Sequence, residues 1–535
     1  MKHKFFIGWV IMCFILGLSL TIGMVISYPY TKQKYELQSA TEEEVKTFLK
    51  QPKQDIQDDP VFSILSPYHH ATDFNDADLV KKDQQNLYIL QNGTLLCIQH
   101  ESRQFHQVSY PDFYPYELQI VGQYLLLFGG RTEEKEITLD EDHSFPYEQY
   151  ECEIMILHKE TLQEVRHFIF YHCYYKSSVA YQKKLCFVIG TNDIINPETN
   201  QLIYPTWEDS LLGMKKMSKE HLYLSKGGNP IYAMTIIGEI SLENLLSPIQ
   251  IRGIVGAEGF EKLSENYLLI GANVYDEVSK TAFHIFQLDN LTYIGCKALK
   301  GYLLKESAMY VYQNNLQAIL SYYEEETFHN VAYKVDIKKR FWTVQTEIAP
   351  YESIYAIQFQ RNYAYVSAYQ YIDPLYIVDF SHIERIEIIA KKEMDFVNEY
   401  IEVRENEIRT IGRKIDTENR SLGLIFARFH PQTLDIVQSY FLEDAYADSE
   451  IRWNEKSLYH DGSTFYLPGY DQQGSCVYVF QDFPHISLKK RIRVENEYLQ
   501  RAISIEDTLY VIGYEATYLF SLDDFTLQGK VFYEA

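Results

Sequence analysis

The 535-residue chain has no G-x-S-x-G nucleophile elbow, no H-E-x-x-H zinc helix and no phosphate-loop glycine pattern. The usual local signatures of serine hydrolysis, metalloproteolysis and nucleotide binding are therefore missing. Basic residues are in short supply: 49 Lys and Arg stand against 74 Asp and Glu, a net charge of −25. Such a surface repels a polyanion, so no nucleic-acid partner is expected. The seven cysteines show no C-x-x-C spacing. A chain this long needs no disulfide staples, and buried free thiols are expected. Glycine and proline are modest and only four tryptophans occur, whereas Tyr and Phe number 46 and 30. Side chains of that kind pack well on a pleated, half-buried surface and favour strands.

One run lacks charge altogether. Residues 5 to 28, "FFIGWVIMCFILGLSLTIGMVISY", contain no charged side chain, and at ~1.5 Å per residue they reach ~36 Å as a helix, enough to cross a bilayer core. Lys2 and Lys4 precede the run, which fits an N-in anchor. The competing reading is a cleaved signal peptide, although its apolar region would be long and Val25-Ile26-Ser27 is a poor exit site. Either reading places the rest of the chain outside the cytoplasm, held at the cell membrane by a single span or secreted after cleavage. Residues 1–33 are thus assigned to the cytoplasmic tip and anchor. Residues 34–72 read as a linker with one short amphipathic helix, 41–50, in which Thr41 and Glu44 make a capping box.

From residue 73 to 535 a strand–turn–strand unit recurs: "QNLYILQNGTLLCIQ" (85–99), "GQYLLLFGG" (122–130), "KKLCFVIGT" (183–191), "ENYLLIGANV" (265–274), "RNYAYVSAYQYIDPLYIVDF" (361–380), "GSTFYLPGYDQQGSCVYVFQ" (462–481) and "EDTLYVIGYEATYLFSLDDF" (506–525). In the later part the interval is about 40 to 50 residues, the period of β-propeller blades. Paired β-sandwiches would explain the strand density but not the repetition. The expected fold is all-β, a propeller of about eight four-stranded blades, with the stretch Asn192 to Ser225 long enough to hold an insertion.

Several segments also resemble those of an exported bacterial and archaeal family described as secreted proteins with a C-terminal β-propeller domain. "TDFNDADLVKKDQQNLYIL" (72–90) is similar to its entry strand, "KTAFHIFQLDN" (280–290) to an internal strand, "ESIYAIQFQRNYAYVSAYQYIDPLYIVDFS" (352–381) to a central blade, and "YLQRAISIEDTLYVIG" (498–513) to the closing blade. Asn75 stands where an acid is usual, and Gln84 where a turn glycine is expected. The resemblance implies fold and export, and brings no reaction and no catalytic residues.

His69, His70, Asp73, Asp76 and Asp78 form the densest set of metal-ligand types. No glycine or closing glutamate completes a calcium loop there, and adjacent histidines on a strand point apart. No cofactor is expected, with calcium kept as the one ion the acidic stretch would take. Asp76, Asp78 and Asp373 are the residues expected near the channel, without an assigned chemistry, and no catalytic residue is named. Glycines 253, 256 and 259 in "GIVGAEG" read as blade turns. The functional expectation is a membrane-anchored, extracytoplasmic scaffold that binds a protein, a peptide or an envelope glycan. Its rival is a hydrolase or lyase whose acids and histidines come together from several blades.

Overall fold

A computed structural model describes residues 34–52, 77–140, 143–369, 373–404, 407–416, 418 and 420–533. The apolar run 5–28 lies outside them. No described helix is long and apolar enough to cross a membrane.

Outside blade 2, the second and third strands of the repeat are largely apolar runs such as Lys184–Thr191, buried at every position after the first. Alternation would leave one face wet; a continuous apolar run marks a strand covered on both faces. These strands sit in antiparallel sheets whose faces stack on their neighbours. The described residues form nine sheets, not eight. In chain order the blades are 80–109, 114–171, 174–255, 260–300, 309–348, 353–394, 397–443, 448–493 and 499–532.

The miscount has a physical source. Innermost strands begin at Phe260, Met309, Ser353, Val397, Asp448 and Leu499, intervals of 44 to 51 residues. Those before them begin at Val80, Tyr114 and Tyr174, giving intervals of 34, 60 and 86. Blade 2 carries a hairpin of two long strands, Tyr124–Asp140 and His143–His158. Blade 3 holds an insertion between its second and third strands. That insertion adds Thr206–Asp209 and Lys215–Lys216 to the outer edge of blade 2, and Leu222–Ser225 to the outer edge of blade 3.

The short N-terminal segment is part of the body. Leu37–Ser39 pairs antiparallel with Leu222–Ser225, making blade 3 six strands wide. Helix α1, Glu42–Leu49, is closed by a capping box: the Thr41 hydroxyl accepts from the Glu44 amide at 3.3 Å, and the Glu44 carboxylate accepts from the Thr41 amide at 3.0 Å. Val45, Phe48 and Leu49 enter the core shared by blades 2 and 3. Phe48 fits because Gly256 has φ +76° and no side chain; a Cβ there would stand 2.9 Å from the Phe48 ring and 2.7 Å from the Ser225 carbonyl.

Glycine is scarce partly because tight turns do without it. Gln313-Asn314 and Glu325-Glu326 close the two-residue hairpins of blade 5 with positive φ at both positions, the geometry of a type I′ turn. The six described cysteines are unpaired, and all except Cys97 are buried.

Candidate functional site

The innermost strands converge on the propeller axis, and five of them carry an extra residue. Register shifts between Pro115 and Glu117, Tyr175 and Ser177, Ile354 and Ala356, Asn398 and Tyr400, and Leu499 and Arg501 make Tyr116, Lys176, Tyr355, Glu399 and Gln500 the extra residues of the ladder register. A bulge bends its strand and re-aims side chains, so five blades interrupt the innermost ladder at equivalent places. Blades 5 and 8 use another device. In blade 5 the 3-10 turn Glu306–Ala308 directly precedes a four-residue inner strand. In blade 8 the turns Glu450–Arg452 and Glu455–Ser457 separate Asp448–Ser449 from Tyr459–Asp461, both of which pair with Thr464–Asp471.

These two turns approach each other across the channel. Lys305 donates to the Tyr355 carbonyl of blade 6. Burial lowers its ammonium to about 8, against the opposing charge of Glu455 from blade 8. On the other side a cavity of about 320 Å³ remains, lined from blades 1 to 5, 8 and 9.

Charged side chains dominate its wall, and most are paired. Arg501 donates from Nη2 to Asp78 Oδ1 at 2.8 Å and from Nη1 to the Gln500 carbonyl at 2.9 Å. Its side chain is only 5% exposed, and its Nε has no hydrogen-bond partner among the described residues. An unmet buried donor costs about 1–3 kcal/mol. Lys176 lies 2.8 Å from Glu261, whose carboxyl is pushed up by burial and held back by that ammonium. Glu306 pairs with Lys262 at 3.2 Å. Tyr175 hydrogen-bonds Ser178 at 2.8 Å and also Glu117. Lys456 donates to the Ala77 carbonyl. Trp453, 39% exposed, adds an aromatic face, with the Arg452 guanidinium 4.8 Å above its ring.

No histidine among the described residues lines this cavity. His460 instead meets Glu402 at 3.3 Å beside a void of about 20 Å³ between blades 7 and 8. That space holds one water at most.

The three residues expected near the channel fare differently. Asp78 is in the cavity wall, bonded through its backbone to Leu118 of blade 2 and through its carboxylate to Arg501. Asp76 lies outside the described residues, as do His69, His70 and Asp73. Asp373 begins Asp373–Asp379, the third strand out from the axis in blade 6, opposite Met394. The dipeptide Asp373-Pro374 starts an outer strand, so Asp373 is not brought beside Asp78. Asp83 serves the turn where a glycine was expected: its Oδ1 accepts from the Gln85 and Asn86 amides at 2.9 Å, and its Oδ2 meets Lys159 of blade 2 at 2.6 Å. No group of three or more His, Cys, Asp or Glu among the described residues is arranged to hold a metal ion.

Lys176, Glu261, Glu306, Lys456 and Arg501 were not singled out from the sequence. Each comes from a different blade, so no local spacing links them. The available signal was the extra residue in "YYKSSVAY" and "YLQRAISI", which breaks the two-residue alternation of an inner strand.

A family model described as a beta propeller domain matches residues 70–525. An uncharacterised protein of Archaeoglobus fulgidus is 24% identical over 261 residues, 48% of this chain and 39% of that protein. The match thus spans well under two thirds of the relative's length. Among solved structures, the β-propeller domain of the Trilobed protease from Pyrococcus furiosus is 9% identical, covers 68% of this chain and 98% of its own, and superposes with a TM-score of 0.35. Apo AztD from Citrobacter koseri is 8% identical, covers 86% and 96%, and gives 0.37. Likeness at this level carries no argument about activity.

Proposed function

We propose that this chain, which belongs to the Beta propeller domain family, is an extracytoplasmic binding scaffold that takes part of a protein, peptide or envelope glycan into the mouth of its channel. The observation that carries this reading is the state of the cavity's polar groups. Asp78 pairs with Arg501 and Lys176 with Glu261, and no histidine stands among them in the described residues. Paired charges of this kind set shape and register for a ligand but offer no poised proton donor and acceptor. Trp453 supplies the partly exposed aromatic surface on which a ligand gains contact area at little cost in side-chain freedom.

The apolar run 5–28 supports anchoring to the cell membrane with the propeller outside. The rival reading, a hydrolase or lyase, has one observation in its favour: burial raises the Glu261 carboxyl in the cavity wall. Its nearest partner is the Lys176 ammonium, which opposes that rise.

The test is capture from envelope extract by the full chain in detergent, with Trp453→Ala and Lys456→Met run beside it. Saturable capture of one component, weakened at least tenfold in both variants, is expected. Capture that survives both variants removes the channel mouth from the function. Turnover of an extract component, lost in Glu261→Gln, replaces the scaffold with the enzyme.

A further inference from the structure

Exposed tyrosines are not spread evenly over the propeller. Eleven of the described tyrosines are exposed. Ten of them stand at the end where inner strands begin and the second strand of a blade turns into the third. Only Tyr363, at the start of a second strand, stands at the other end. The cavity opens on the tyrosine side, since Asp78, Tyr116 and Trp453 line it from the beginnings of their blades. A ring left in water fills no core, and a group of rings at one end of a fold marks a contact surface.

The rings gather on blades 8 and 9. Tyr446 precedes the inner strand of blade 8, and Tyr470 lies opposite Asp448 in the register of that blade. Trp453 closes the first 3-10 turn between them in sequence. Tyr498 precedes the inner strand of blade 9, and its carbonyl accepts from the Tyr514 amide at 3.1 Å. Exposure runs from 39% for Trp453 and Tyr470 to 63% for Tyr446. Three of the five rings are fixed. The Tyr498 hydroxyl donates to Glu450 at 2.6 Å and the Tyr470 hydroxyl to Asp448 at 3.1 Å. The Arg452 guanidinium, 4.8 Å over the Trp453 ring, is itself tied to Asp448 at 3.4 Å.

The charges beside these rings are engaged. Asp448, Glu450 and Arg452 hold the aromatics, and the adjoining cavity wall has Asp78 on Arg501, Lys176 on Glu261 and Lys262 on Glu306. A ligand that brought charge of its own would have to break one of these pairs. Nor does this end of blades 8 and 9 expose a Leu, Ile, Val or Met among the described residues, the kind of side chain that fills the core of a protein contact; Leu527 stands at the opposite end. A neutral ligand with C–H faces and hydroxyl edges fits best. A pyranose with equatorial substituents has that make-up: its face lies on a ring and its hydroxyls meet the polar tips. Rings already fixed lose little further freedom on binding. Resting on the scaffold reading above, we infer that the aromatic end of blades 8 and 9 is a platform for a neutral glycan of flat, equatorially linked pyranoses, such as β-1,4-linked glucose or N-acetylglucosamine. Trp453 and Tyr498 are its principal stacking faces, and Trp453 leads the chain to the cavity it lines.

The test is calorimetric titration of the full chain, in a polyoxyethylene detergent free of sugar, with cellohexaose, N-acetylated chitohexaose and maltohexaose. Cellohexaose or chitohexaose binds, and maltohexaose, curved by its axial linkage, binds about tenfold more weakly than the better of the two. Trp453→Ala and Tyr498→Ala each weaken that binding about tenfold. Tyr498→Phe, which keeps the ring and loses the bond to Glu450, weakens it only about threefold. Tyr363→Ala, at the other end, leaves it unchanged. Equal binding of all three sugars overturns the inference, as does binding that survives both alanine variants. If no hexasaccharide binds while envelope capture still depends on Trp453, the glycan falls and the scaffold stands. If capture too is independent of Trp453 in a folded chain, the scaffold reading falls with it.

Discussion

Two joints in the ring are built on opposite plans. Blades 2 and 3 are fastened at their rim by chain from elsewhere: the insertion gives strands to both sheets, Leu37–Ser39 adds one more, and helix α1 fills the groove between. At its centre Arg166, with no solvent exposure, pairs with Asp209 and donates to the Leu245 and Ser247 carbonyls. The seam between blades 9 and 1 has no such aid, although it joins the two ends of the propeller. Blade 1 is built only from 80–109 and blade 9 only from 499–532. They meet through packed side chains such as Leu87, Ile89, Tyr510 and Ile512. Polar links accompany them: Arg103 to Asp507 at 2.6 Å and to Gln528 at 3.1 Å, Arg501 to Asp78, and bonds from Lys82, Asn92 and Gln107 to the Ser504, Tyr514 and Phe532 carbonyls. The difference shows that closing a ring of similar blades requires only complementary faces, whereas strands added from remote chain secure a rim that the repeat does not itself fill.

Arg166→Met tests the rim most severely. It leaves Asp209 buried without its cation and is expected to cost about 3–5 kcal/mol in urea unfolding. Faster proteolysis should concentrate within 192–233. A loss below about 1 kcal/mol would show that this ion pair does not lock the rim. At the seam, Ile512→Ala removes a side chain with no exposed surface and is expected to cost about 2–5 kcal/mol. Here hydrogen exchange should rise in 80–109 and 499–532 together while blades 2 and 3 keep their protection. Exchange confined to blade 9 would mean that the seam is not one cooperative unit. The smallest effect is one of pH. The Glu44 carboxyl is lowered from 4.5 to about 2, first by the Thr41 amide and then by Lys226. Its contribution is complete above pH 4.5 and is lost as pH falls through about 2. Amides of 42–49 should therefore lose protection over that window in the native chain and show no such step in Glu44→Gln. A step of equal size in the variant would assign it to another group.

The propeller was legible where the repeat is undisturbed. "RNYAYVSAYQYIDPLYIVDF" contains two adjacent blade 6 strands, Tyr363–Tyr369 and Asp373–Asp379, in nearly their full extent. The helix was equally open, because Thr41 and Glu44 cap it locally. Blade number was hidden by the long hairpin of blade 2 and by the insertion, which lends its strands to two sheets and so has no period of its own. Gln84 stands where a turn glycine was expected, but the Asp83 carboxylate supplies by hydrogen bonding the turn that a glycine supplies by conformational freedom. The channel was the least readable part. Asp78 was visible as an acid on an entry strand, but its meaning depends on Arg501, 423 positions away.

The strand Leu37–Ser39 also decides how force enters the molecule. It is fastened to the outer rim of blade 3, far from the axis. A pull from that direction would first peel three residues from Leu222–Ser225 and then draw Phe48 from its seat against Gly256. Only after that would load reach the strands that carry the channel. The segment would thus yield as a mechanical fuse before the ring itself is loaded.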